Sequence, residues 1–305
     1  MKAPAVENRS FLKHFAWLSI AAAVATIGLK LAAWLFTGSV GLFSDAMESL
    51  VNMVGGIMAL AMLEVAARPP DEDHAFGHSK AEYFSSGIEG TLILFAALAI
   101  AFAAVQRLLH PRMLEQPGLG LAISVAASLV NLFVAMIILR AGKKFDSITL
   151  QANAHHLLTD VWTSAGVLVG VVLVVLTGWQ WLDPVVAILV AANIVWTGVR
   201  IVRASVFGLM DTALPPEELA KIHQVLEPHK KTGVQYHALW TRQSGSERFI
   251  FLHVLVPGKW SVRRGHDLIG HIEDDIRSTL ANSTVFTHLE AQEDPASWDD
   301  LPAKT

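Results

Sequence analysis

Four polar side chains set in otherwise apolar stretches have the types and spacing to hold a cation. In SVGLFSDAMESLVNMVGG, Glu48 and Asn52 are four apart, and in ANAHHLLTDVWTSAG, His156 and Asp160 are four apart. Residues four apart share one face of an α-helix. One such pair on each of two helices brings one imidazole nitrogen and three oxygens toward a common point. That donor set suits tetrahedral Zn²⁺ and is tolerable for Fe²⁺, Co²⁺ or Mn²⁺. The same residues could instead hydrogen-bond two helices together. Asp45 lies about one turn before Glu48, close to the start of the run, where a helix N-terminal or entry role fits as well as ligation. His155 is turned about 100° from His156. Lys30, in an earlier apolar run, either snorkels or balances a carboxylate.

Two further groups could ligate metal. In RPPDEDHAFGHSKAEYF, Asp71, His74 and His78 fall at gaps of three and four, so a helical or tightly turned loop lets them meet. A surface loop that merely contains histidines is the alternative. The last third of the chain carries seven histidines. His237 and His253 fall on strand-like runs, and strict alternation puts His237 on the face of Leu239. His288 and Glu290 are two apart on a third run and point to one side. His266 belongs to the intervening helix. Any one of these is compatible with a buried hydrogen-bonding imidazole; His237, His253, His266, His288 and Glu290 together suggest a metal site. With no cysteine in the chain, disulfides and thiolate sites are excluded, and His, Asp and Glu are the available ligands.

The elements that must position these groups follow from composition. Of 305 residues, 53% are hydrophobic and 16% charged, against about 25% charged in an ordinary soluble domain. The shortage lies between Ala16 and Val206. A bilayer core of about 30 Å needs about 20 apolar residues in a helix. Six stretches qualify, near 14–36, 39–65, 84–108, 117–140, 148–177 and 182–204, separated by Gly and Pro breakers. The first is read as a retained span and not as a cleaved leader. Lys2, Arg9, Lys13, Arg68, Lys80, Arg140, Lys143, Lys144, Arg200 and Arg203 fall on one side. Only Arg107 and Arg112 fall on the other. The positive-inside rule then puts both termini in the cytoplasm. The expected division is a transmembrane domain over 1–206, a soluble cytoplasmic domain over 207–295, and a tail over 296–305. The soluble part reads as a helix near 215–231, two strands joined by SGSE, a helix near 261–281 and a last strand, STVFTHLEAQ. That order, αββαβ, suits a small sheet with helices on one face. A net charge of −4 gives no electrostatic support for a nucleic-acid partner.

The stretches GSVGLFSDAMESLVN, DEDHAFGHSKAE, ANAHHLLTD, WLDPVVAILVA, LMDTALP and HALWTRQSGSERFIFLHV carry a resemblance over about residues 10–295. The chain resembles a bacterial cation diffusion facilitator of the ferrous-iron and zinc efflux type. The resemblance implies an all-α bundle of six transmembrane helices plus a cytoplasmic αββαβ domain, working as a homodimer in the inner-membrane bilayer. It implies export of a divalent metal, Zn²⁺ first and Fe²⁺, Co²⁺, Cd²⁺, Ni²⁺ or Mn²⁺ as alternatives, in exchange for protons by alternating access. Its transport site falls on Glu48, Asn52, His156 and Asp160, and its loop site on Asp71, His74 and His78. Its cytoplasmic site falls on His237, His253, His266, His288 and Glu290, the carboxylate bridging two ions. A salt bridge falls on Lys80 and Asp211. One departure stands out: the second span commonly carries two aspartates in this type, whereas here the positions are Glu48 and Asn52. Asparagine offers only a neutral carbonyl oxygen, so the site carries two negative charges with neutral His156, still enough to balance a divalent ion.

A metal ligand must be deprotonated. A proton arriving from the acidic side would reach His156 first, since imidazole has an ordinary pKa of about 6.5, and its protonation would expel the ion. The chain lacks the Gly-rich loop followed by Lys-Ser/Thr that cradles nucleotide phosphates, so an ion gradient is the expected energy source. Two other classes fit parts of the pattern. A membrane metal sensor would bind without moving ions. An intramembrane metalloenzyme would need an open coordination position and a general base, for which HxxxD without HExxH is weak support.

Overall fold

The computed structural model describes residues 12–144, 148–230 and 233–298. Lys2 and Arg9 of the charge pattern, and the tail beyond Trp298, lie outside the described residues. Six long helices come first: α1 Leu12–Thr37, α2 Val40–Ala66, α3 Ala81–Leu109, α4 Pro117–Lys144, α5 Ile148–Thr177 and α6 Leu182–Leu209. All six are long and apolar enough to cross a membrane. Several outrun the expected spans: α3 starts at Ala81, α4 reaches Lys144 and α6 reaches Leu209. Hydropathy marks where side chains become polar, whereas helical hydrogen bonding continues into the polar turns beyond. Gly38 and Gly178 stop α1 and α5 in the left-handed region, at φ 61° and 73°, where a Cβ would be strained.

The chain forms two compact units, one of residues up to Met58 with Ile88–Val202, the other of Ala59–Gly87 with Arg203 onward. In the first unit, small residues let the helices approach. Ala22 of α1, Ala135 and Ile138 of α4, and Ala154 and Leu157 of α5 share one buried cluster. Val51 of α2, Ala97, Ile100 and Ala104 of α3, and Ala187 and Ala191 of α6 share another. Small-residue contacts of this kind are the usual glue between helices in lipid, where apolar faces gain nothing from merely avoiding solvent. Gly120 shows how close the approach is: a Cβ there would overlap the Thr37 methyl. Outward faces carry Phe95, Phe102, Phe133, Leu176 and Trp196, each more than 60% exposed, as a lipid-facing surface should.

In the second unit, α7 Pro216–Lys230, β1 Gln235–Ser244, β2 Glu247–Val256, α8 Val262–Thr279 and β3 Ser283–Ala291 follow in the expected αββαβ order, before a short 3₁₀ turn, Pro295–Trp298. Pro216 starts α7, where a missing N–H costs nothing. The sheet order is β1-β2-β3. β1 and β2 pair antiparallel through a tight turn at Gly245-Ser246, and β2 and β3 pair parallel. A parallel pair requires a crossover, which α8 supplies. Ile250, Leu252 and Val254 of β2 and Val285 of β3 form a core with Ile222 and Leu226 of α7 and Ile272 and Ile276 of α8. Both helices thus cover one face, and His253, His288 and Glu290 alternate onto the other.

Strict alternation fails in β1. The register shifts between His237 and Trp240, with Ala238 at φ 47°. This bulge sends Leu239 to the core beside Tyr236, while His237 and Trp240 both contact the His253 ring on the other face. The expectation that His237 shares a face with Leu239 is therefore corrected: an extra residue in one strand reverses the alternation beyond it.

Candidate metal sites

Within the membrane-spanning unit, Asp160 of α5 points at Lys30 of α1. The ammonium lies 3.0 and 3.1 Å from the two Asp160 oxygens and 2.9 Å from Asp45 Oδ1, and donates to Ser49 Oγ at 2.7 Å. Ser49 donates to Asp160 Oδ1 at 2.9 Å, Ser164 donates to Asp45 Oδ1 at 2.7 Å, and the Asn131 amide donates to Asp160 Oδ2. Four helices thus meet at a buried polar knot. Lys30 balances carboxylates instead of snorkelling. Asp45 is 1% exposed, and in this structure it is a partner of Lys30 and Ser164.

Glu48 and Asn52 face elsewhere. They line a cavity of about 60 Å³ with Asn193 and Thr197 of α6, walled by Ile93 and Ala96 of α3. His156 is exposed, one turn before Asp160. The ligating atoms of Glu48, His156 and Asp160 do not gather within 4.8 Å, unlike the two groups described next. In this structure Asp160 is held by Lys30, whereas Glu48 and Asn52 together line the cavity. Asn193 and Thr197 were missed in the sequence. Their signal was present, since a polar pair four apart inside an apolar span is what singled out Glu48 and Asn52.

The loop after α2 brings its three residues together. Asp71, His74 and His78 each present a ligand atom, all within 4.8 Å of one another. His74 Nδ1 is 3.1 Å from Asp71 Oδ1, and His78 Nε2 is 3.4 Å from Asp71 Oδ2. The carboxylate is aimed by the backbone N–H groups of Asp73 and His74, both donating to Asp71 Oδ1. Slight desolvation would raise its pKa, but the hydrogen bonds from His74 and the two imidazoles outweigh it and hold Asp71 below the ordinary carboxylate range. An ionised carboxylate beside two imidazoles is a ready donor set for Zn²⁺ or a similar ion.

The helix-free face of the sheet assembles the third group. His237 Nε2 lies 2.9 Å from Glu290 Oε2, His253 Nδ1 lies 3.1 Å from Glu290 Oε1, and the two imidazoles are 3.2 Å apart. His288 Nε2 stands 3.7 Å from Glu290 Oε1. Glu290 Oε2 thus faces His237, while Oε1 faces both His253 and His288. Trp298 from the 3₁₀ turn packs edge-on against His237 at 5.4 Å. His266 does not join. It is exposed near the start of α8, and α8 packs on the opposite face of the sheet, against Leu289. Sequence alone gave its residue type but not its side of the sheet.

Lys80 and Asp211 pair at 2.9 Å, with Arg242 also on Asp211 at 3.0 Å. Partial burial pushes the Asp211 pKa up, but the Lys80 and Arg242 bonds outweigh it and hold the carboxyl below its ordinary range. A depressed folded-state pKa means stability present above the unfolded value and lost as pH falls through the folded one. Asp211→Asn should therefore lower thermal stability at pH 7 by about 1 kcal/mol or less, since the group is half exposed and screened. The gap from wild type should close as pH drops below 4, which melting curves across that range would record. A gap independent of pH and salt would remove the electrostatic explanation.

Comparison with known proteins places the chain in a family. Residues 16–210 match the cation efflux transmembrane domain, and residues 214–292 match the cation efflux protein cytoplasmic domain. The "Uncharacterized transporter sll1263" of Synechocystis is 53% identical over 293 residues, spanning 95% of this chain and 94% of its own. The cation-efflux pump FieF of Serratia proteamaculans is 30% identical over 287 residues, spanning 94% and 93%. A solved structure of the putative zinc transporter CzrB in its zinc form shows 28% identity, covering 27% of this chain and 93% of its own at a TM-score of 0.26. With six membrane-spanning helices, a cytoplasmic-type αββαβ domain and both domain matches in sequence order, the chain belongs to the cation efflux family of multi-pass membrane transporters.

Proposed function

We propose that the chain is a homodimeric exporter of divalent metal, with Zn²⁺ as favoured cargo, driven by protons moving inward across the inner membrane. Both termini and the soluble domain face the cytoplasm. The functional division is a transport domain over 1–206 and a metal-binding, dimerising domain over 207–295, with 296–305 as a tail. The observation that carries the reading is the Asp160 carboxylate held largely out of solvent in a polar knot of four apolar helices, in the same helical unit as a cavity bearing Glu48 and Asn52. Buried ionisable groups in a lipid span mark an ion path. Cargo would bridge the α2 pair to His156 and Asp160 after a rearrangement of α5 against α2, and protonation of His156 would release it. The donor chemistry, nitrogen and oxygen without thiolate, favours Zn²⁺ and admits Fe²⁺, Co²⁺, Cd²⁺, Ni²⁺ and Mn²⁺. Uptake into proteoliposomes across that panel tests the reading. A pure sensor would show saturable binding and no flux for any ion.

Asn52→Asp probes the same site. A carboxylate added to the cavity beside Glu48 strengthens attraction for a divalent cation, by about tenfold in KM at an intermediate effective dielectric. The pH optimum of flux should shift too, because like charges raise each other's pKa when the metal is away. Unchanged KM, pH profile and ion preference, per folded molecule, would remove Asn52 from the path.

A further inference from the structure

Lys30 is an odd neighbour for a cation site. It is 1% exposed, and all three donors of its ammonium are engaged, by Asp45, Ser49 and Asp160. Both oxygens of Asp160 lie within 3.1 Å of it, so a metal cannot take that carboxylate while the ammonium stays. Beside it, Asp45 Oδ2 is buried without a hydrogen-bond partner, as is Asn131 Oδ1. A buried carboxylate oxygen left unpaired is costly, and the Lys30 ammonium already sits on the other oxygen of the same carboxylate.

We propose that Lys30 is a tethered counter-cation of the transport path: its ammonium occupies Asp160 while the site is empty, and a divalent ion binds by displacing it onto Asp45. This rests on Asp160 being a ligand of the transported ion. The unpaired Asp45 Oδ2 gives the displaced ammonium a second contact on a partner it already touches, so it never has to reach water. Charge sets the selectivity. With all three carboxylates deprotonated, as metal binding requires, Lys30 with Asp45, Glu48 and Asp160 sums to two negative charges, since Asn52 and neutral His156 add none, and one divalent ion balances them. A monovalent ion competing with a resident ammonium for the same carboxylate has no charge advantage, whereas a divalent one has. Lys30 is thus a positioning and selectivity residue that acts through Asp160.

The test is Zn²⁺ flux by the full-length protein in proteoliposomes, resolved into KM and kcat. In Lys30→Met combined with Asp45→Asn, the ammonium leaves together with its Asp45 partner, and Asp160 keeps the bonds from Ser49 and Asn131. KM for Zn²⁺ should fall by about fivefold or more once nothing competes for Asp160. Turnover should fall with it, because nothing returns to displace the ion, and Na⁺ should begin to inhibit. Lys30→Arg should move KM the other way, since a planar guanidinium grips a carboxylate through two parallel bonds. A double variant with KM unchanged, whatever its kcat, would make the pair a structural tie and overturn the proposal. Should the double variant fail to assemble, Lys30→Arg decides: a raised KM supports the exchange, and an unaltered KM overturns it. A wild type that moves no Zn²⁺ or related ion is a separate failure, which removes the transport reading itself and this proposal with it.

Discussion

Asp160→Ala should abolish metal flux, by a hundredfold or more, in a protein that still folds and assembles. The carboxylate accepts bonds from Lys30, Ser49 and Asn131, and charge-assisted bonds of this kind contribute about 1.5–3 kcal/mol each. The loss is survivable because Lys30 keeps Asp45 and Ser49 as partners, so no bare ammonium is left in the bundle. Transport has no such reserve. Without Asp160, α5 offers only His156, and the site has a single negative charge to set against a divalent ion. Size-exclusion profiles and vesicle flux measured on the same preparation separate folding from function. Near-normal flux in a folded Asp160→Ala protein would discard the site built on α2 and α5. His78→Ala, by comparison, should reduce flux only several-fold, because the loop group contributes no ligand to the proposed transport site.

The second large effect concerns the sheet. Full-length protein should gain thermal stability on adding Zn²⁺, and His237→Ala with His253→Ala should remove most of that gain. A ligand at a hundred times its Kd stabilises the native state by about 2.7 kcal/mol when it does not bind the unfolded chain. Both imidazoles converge on Glu290 within 3.1 Å, so removing them leaves one carboxylate and His288, too few donors for tight binding. Zn²⁺ should also change the emission of Trp298, whose ring abuts His237, and the double variant should lose that change. His266→Ala should keep both responses, because that residue lies on the helix of the opposite face. An undiminished melting shift in the double variant would make the histidines structural.

The parts legible in sequence were those written in local periodicity. Six apolar runs gave six helices, and the αββαβ order came from proline, the SGSE turn and alternating strands. The Asp71, His74 and His78 loop was legible because its ligands are near neighbours in the chain. What escaped depends on partners distant in sequence. No local pattern says that Lys30 meets Asp160, 130 residues on, or that Asn193 and Thr197 share a cavity with Glu48. The bulge at Ala238 was hidden because HALW alternates well enough on paper, and it decides which face His237 occupies. His266 misled for a related reason: a histidine on a helix joins a strand cluster only if that helix covers the right face, which the crossover fixes.

The most direct measurement records metal and protons together. Full-length protein would be reconstituted in vesicles carrying a Zn²⁺ dye and a pH dye in the lumen, with an imposed proton gradient. The expected result is Zn²⁺ accumulation coupled to proton movement in the opposite direction, abolished by collapsing the gradient and by Asp160→Ala. Zn²⁺ that binds but never accumulates, or accumulates at the same rate without any proton movement, would contradict it.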